Sequence, residues 1–91
     1  MFSYHIMVSG QVQGIGYRYF VEREARKIKI TGWVRNLDNS DVEILAEGEE
    51  IFLEDFINTL QTKHSYAIIN DIKVSKTKIE KTDYSDFKIT F

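Results

Sequence analysis

An α/β sandwich is the fold class this 91-residue sequence predicts, and three observations predict it. Five stretches alternate apolar and polar residues with a period of two, and two others repeat apolar residues at helical spacing. Their order is strand, helix, strand, strand, helix, strand, with a short terminal strand. Cysteine is absent, so a packed core and not a disulfide framework must hold the chain together.

The first strand covers residues 3–9, with Tyr4, Ile6 and Val8 on one face and Ser3, His5, Met7 and Ser9 on the other. A loop follows from Gly10, with three glycines in seven residues. Such density marks backbone that bends sharply or approaches something closely. From Tyr17 the period changes: Tyr17, Phe20, Val21, Ala25 and Ile28 form the apolar face of a helix running to about Lys27. Ile30, Gly32 and Val34 then alternate with Thr31, Trp33 and Arg35 in a strand ending near Asn36. Leu37-Asp38-Asn39-Ser40-Asp41 has turn composition, and Val42, Ile44 and Ala46 continue as the second arm of a hairpin. Gly48-Glu49-Glu50 opens a second helix with acids at its positive end, and Phe52, Leu53, Phe56, Ile57 and Leu60 form its stripe up to about Lys63. Ile72 and Val74 lie in a fourth strand over about 68–80, and Phe87, Ile89 and Phe91 alternate in a fifth.

That order predicts a ferredoxin-like βαββαβ sandwich, with an antiparallel four- to five-stranded sheet and two helices on one face. Right-handed crossovers place both helices together. The first and third strands are central neighbours and the second pairs outside the third. The glycine loop and Asn36 then fall on one rim of the sheet, about 10 Å apart. Phe52, Phe56, Phe87 and Phe91 are expected in the core, and the acids Glu47, Glu49, Glu50, Glu54 and Asp55 on a solvated face.

Length bounds the organisation to a single domain over 1–91, exposing roughly 5,500 Å² when folded. No apolar run approaches the ~20 residues of a membrane span, and the N-terminus lacks signal-peptide character. The expectation is a soluble cytoplasmic monomer with no membrane partner. Net charge is −2 but unevenly spread: residues 1–35 hold six basic and two acidic side chains, and residues 36–71 hold one and nine. An acidic balance argues against nucleic-acid binding. So do Glu43 and Glu47, which stand on the third strand where an RNA-recognition sandwich places aromatics. His5 and His64 have no ligand spacing to one another, so no metal site is expected.

The segment Gly10–Arg18 joins a strand to a helix N-terminus, where free backbone N–H groups gather. Amides curled by the glycines, with the planar fork of Arg18 in the first helical turn, make a cradle for one phosphoryl-sized anion. Two nucleotide motifs fail here. No lysine precedes Lys27, so there is no Walker A end, and Tyr19 stands where the dinucleotide fingerprint needs glycine. A phosphocysteine is impossible.

Gly10-Gln11-Val12-Gln13-Gly14-Ile15-Gly16-Tyr17-Arg18 resembles the first signature of the acylphosphatase family. Gly32-Trp33-Val34-Arg35-Asn36, with Val42 and Gly48 at the expected spacing, resembles the second. The similarity runs on to Tyr84-Ser85-Asp86-Phe87. The resemblance implies hydrolysis of acyl phosphates to a carboxylate and inorganic phosphate, with no metal, no cofactor and no phosphoenzyme. It makes Arg18 the phosphate-binding and Asn36 the water-positioning residue. It assigns the phosphate loop to the amides of Val12, Gln13, Gly14, Ile15, Gly16 and Tyr17. For Gln13 a side-chain contact is the alternative, and the backbone is the expected one. Inorganic phosphate or sulfate is then a product-like ligand.

Chemistry agrees with so small a set. The carboxylate leaving group departs at neutral pH without a general acid, and phosphoryl transfer needs mainly positioning and electrostatic stabilisation. Two positions depart from the family pattern. Ser40 and Lys29 stand where glycines are usual. Asn39 is expected to absorb the turn geometry with a small shift of the hairpin, and Lys29 to cost about 1 kcal/mol in a left-handed cap. The alternative is a non-catalytic anion-binding module, since the same fold and loop occur within larger proteins such as hydrogenase-maturation factors. With so short a chain, the free enzyme is the expectation. No pattern reads the acyl group, so 1,3-bisphosphoglycerate, carbamoyl phosphate and acetyl phosphate stay open, as does a contact from Tyr17 or Tyr19.

Overall fold

Alternation of apolar residues produces the strands as expected. In the computed structural model, which describes residues 1–91, β1 (Phe2–Gln11) buries Tyr4, Ile6 and Val8 completely. It is longer than its alternation suggests. Gly10 stays in the ladder opposite Ile69, and the register shifts between Ser9 and Gly10. Such a bulge re-aims the chain before the loop.

Helix α1 (Tyr17–Lys27) follows, then β2 (Thr31–Asn36), β3 (Val42–Gly48), α2 (Glu50–Thr62), β4 (Ile68–Lys78) and β5 (Phe87–Ile89). The five strands form one sheet in the order β4-β1-β3-β2-β5. β1 pairs antiparallel with β3 and β4, and β2 antiparallel with β3. β5 runs parallel to β2, so the sheet is mixed and not wholly antiparallel as expected. Residues 79–86 carry the chain from one edge of the sheet to the other, so β5 arrives beside β2 pointing the same way. Glu47 anchors this crossing: its carboxylate is buried and accepts the Asp83 N–H at 2.8 Å. It is therefore a structural acceptor and not part of a solvated face.

One cluster of 17 buried apolar residues joins the sheet to both helices. Tyr17, Phe20, Val21 and Ala25 come from α1, and Leu53, Phe56 and Leu60 from α2. The molecule exposes 5583 Å², close to the value its mass dictates. Phe56 and Phe87 meet edge to face at 6.2 Å, as core residues should. Phe52 and Phe91 do not join them. Phe52 lies half-exposed on α2, and Phe91 falls beyond the last ladder pair of β5 and is 96% exposed. β5 is only three residues long, so the alternation ends before position 91 can be turned inward.

Helix α1 ends in a left-handed cap. Lys29 has φ 58°, its N–H bonds Arg26 O, and the Ile30 N–H reaches back to Ala25 O at 3.0 Å. That pairing is the Schellman motif, with lysine where glycine is preferred. In the hairpin turn, Ser40 itself takes φ 78°. Asn39 does not absorb the geometry; its side chain instead bonds Asp41. The hairpin keeps its register through Asn36↔Val42.

Candidate active site

The residues of the glycine loop shape the site from their backbone. Gly14 and Gly16 both lie in the left-handed region, at φ 76° and 77°, with open space where a Cβ would project. Glycine is needed there for conformation alone. Val12 is buried and Ile15 packs against the core, so two apolar anchors hold a loop whose glycines are exposed. Gly16 caps α1 without a side-chain hydrogen bond, and no acid stands in the first turn. The first N–H groups of the helix, with their partial positive charge, stay free of an internal anion.

Beside this loop lies a cavity of about 110 Å³, several times the ~30 Å³ share of one water in the liquid. Val12, Gly14 and Gly16 line it from the loop, Tyr17, Arg18 and Tyr19 from the first turn of α1, and Asn36 from the end of β2. The structure thus brings together six of the eight sequence-derived site residues. Gln13 and Ile15 are not on its wall.

Arg18 forms no ion pair with any carboxylate of the chain. Its Nη1 donates to Thr90 O at 3.3 Å, and its guanidinium sits 5.0 Å from the centre of the Phe91 ring. Thr90 in turn donates its N–H to Val34 O at 2.8 Å, two residues before Asn36. A carbonyl and a ring therefore orient the cation without neutralising it. Sequence reasoning missed this support, because it spans 72 positions and Thr90 and Phe91 carry no local signal.

Asn36 sits where β2 gives way to the turn, opposite Val42. Its Oδ1 is buried with no hydrogen-bond partner in the chain, so the carboxamide oxygen is not consumed in holding the turn. Gln13 does that work: its Nε2 donates to Leu37 O at 2.9 Å and to Asp41 O at 2.8 Å. Tyr17 lines the cavity but is a core residue, 1% exposed. Its hydroxyl donates to Leu60 O, and burial pushes its pKa up. Tyr19 is 70% exposed at the rim.

This arrangement can bind one tetrahedral oxyanion between backbone amides and a guanidinium, with a neutral amide alongside. It offers no carboxylate pair or histidine for acid–base work, and the chain has no cluster of three or more metal-ligating side chains.

Comparison with known proteins points the same way. The acylphosphatase family model matches residues 4–89. An acylphosphatase of Bacillus licheniformis is 46% identical over the whole of both chains. The crystal structure of an acylphosphatase from Bacillus subtilis superposes with a TM-score of 0.94 at 41% identity, again over both entire chains. A full-length HypF structure, in phosphate- and nucleotide-bound form, matches with a TM-score of 0.83 at 32% identity; this chain covers 12% of it. From its two sequence signatures to its five-stranded sheet, the chain belongs to the acylphosphatase family.

Proposed function

We propose that this acylphosphatase cleaves the carboxyl–phosphate bond of small acyl phosphates by direct attack of water. The phosphoryl group sits in the cavity, on the amides of the loop from Val12 to Tyr17. The Arg18 fork takes two of its nonbridging oxygens. As the bond to the carboxylate lengthens, charge grows on those oxygens, and donors already aimed at them stabilise it without reorganising. The carboxylate leaves unprotonated. Asn36 holds the attacking water through its amide, in line with the scissile bond. An amide is no base, so the water's proton passes to a phosphate oxygen of the substrate. The new P–O bond forms as the P–O bond to the acyl group breaks, giving inorganic phosphate and a carboxylate.

The observation that carries this reading is the single small cavity shared by Arg18, Asn36 and the loop glycines, with an arginine no acid neutralises. Hydrolysis of benzoyl phosphate in the presence of EDTA tests it. Turnover is expected to persist with the chelator and to fall by roughly 10²–10³-fold in Arg18→Gln, with a raised KM. An inactive parent protein that still binds inorganic phosphate would instead make the chain an anion-binding module. Full activity in Arg18→Gln would remove the arginine from the mechanism.

A further inference from the structure

One helical turn beyond the active site lies a second cavity, about 180 Å³ in volume. Arg23 and Phe20 reach it from α1, and Lys63, His64, Ser65 and Tyr66 from the segment that follows α2. Its position relative to the first cavity follows from helix geometry. Tyr19 lines the first and Arg23 the second. They stand four residues apart on one face of α1, just over one turn or about 6 Å of rise. Tyr17 lines the first cavity, and its ring lies 5.7 Å from the His64 ring of the second.

The chemistry of the second cavity is one-sided. Two permanent cations, a hydroxyl and an imidazole line it, and no carboxylate does. Lys63 is the only basic residue among the 36 of the acidic segment 36–71, yet it stands here and forms no ion pair. Arg23 pairs only with its neighbour Glu24, at 3.5 Å, and its guanidinium lies 6.0 Å from the centre of the Phe20 ring. His64 Nδ1 accepts the N–H groups of Tyr66 and Ala67, each at 3.1 Å. The neutral ring therefore carries its proton on Nε2, as a donor. The C-terminal end of α2 accounts for a cation at Lys63, but not for Arg23, which comes from the middle of the other helix.

We propose that this cavity is a subsite for a second anionic group, a carboxylate or phosphate, at the far end of the acyl chain of the substrate. The proposal rests on the acyl phosphate reading of the first cavity and adds a substrate class to it: acyl phosphates with an anionic tail, over those with an apolar one. The phosphoryl end occupies the Arg18 cradle, the chain passes Tyr19, and the tail lies between Arg23 and Lys63.

Binding and turnover test it separately. Calorimetry of 5-phosphonopentanoate and pentylphosphonate compares two phosphonates of equal length that differ only in the terminal carboxylate. In the parent protein the carboxylate is expected to tighten binding about five-fold, the scale of two exposed ion pairs, and added salt to shrink the gain. In the double variant Arg23→Gln, Lys63→Gln the gain is lost, and pentylphosphonate binds as before. kcat/KM for succinyl phosphate over butyryl phosphate should follow the same pattern. Equal binding of the two phosphonates in the parent, or a preference that survives the double variant, overturns the subsite. An unchanged phosphonate pattern with no turnover of either acyl phosphate falls on the catalytic reading and leaves the subsite standing.

Discussion

Asn36 offers a clean single-residue test, because its amide oxygen serves no other partner. Truncation in Asn36→Ala removes an orphaned polar atom, so stability should hold or rise slightly. On the proposed water-holding role, kcat should fall by roughly 10²-fold. Binding of inorganic phosphate, measured by calorimetry, should stay within about two-fold of the parent, since Arg18 and the amides remain; strongly weakened phosphate binding would place Asn36 in the cradle instead. Gln13 separates the two roles from the other side. It bonds the turn carbonyls and not the cavity, so Gln13→Ala removes two hydrogen bonds worth about 1–2 kcal/mol together. Thermal unfolding should show that loss. kcat should drop with it as the Asn36 turn loosens, while KM changes little. A raised KM with unchanged kcat would mean that Gln13 holds substrate directly.

At the scale of elements, two non-glycine residues carry left-handed backbone, and each gives a stability prediction. Lys29→Gly relaxes the Schellman cap of α1 and should stabilise the protein by about 1 kcal/mol, read as a higher midpoint in urea with benzoyl phosphate turnover unchanged. Ser40→Gly should give a gain of the same sign at the hairpin turn. Much of the architecture is legible from the chain, because alternation and helical spacing are local signals. The ends of α1, β2 and α2 fall where the periods break, and Arg18 and Asn36 meet because the topology forces both onto one rim. What escaped is non-local or depends on register. β5 is too short to turn Phe91 inward. The parallel pairing of β5 follows from the path of residues 79–86, which no period records. Glu47 looks like any strand carboxylate until the crossing segment supplies the Asp83 N–H. The Gln13 link spans 24 and 28 residues to its two acceptors, and no motif spacing encodes it.

Across the whole molecule, carboxylates that tie elements together set the response to acid. Burial pulls the Glu43 pKa upward, but hydrogen bonds from His5 and Arg35, at 2.7 and 2.6 Å, outweigh it and leave it lowered. Glu54 is held low by the Tyr4 hydroxyl and by Lys76, which together join α2 to β1 and β4. Lys27 lowers Glu24. A depressed folded-state pKa means that the unfolded chain binds protons first on acidification. The stability these groups add is present above the ordinary carboxylate range and is lost as pH falls through and below about 4. Urea midpoints should therefore hold from neutral pH to about 5 and decline below that. Glu43→Gln should be less stable than the parent at pH 7 and should lose less on acidification; an identical acid limb would take Glu43 out of the account.

On the proposed function, the arginine that leans on a carbonyl and a ring, with no acid to answer it, would make the folded state a receptor even at rest. A small oxyanion that fills the proposed cradle should then raise the melting temperature by mass action, with RT ln(1 + [L]/Kd) added to the folding free energy. Buffer composition should then act as a thermodynamic variable for this protein, with melting curves in phosphate lying above those in a bulky zwitterionic buffer.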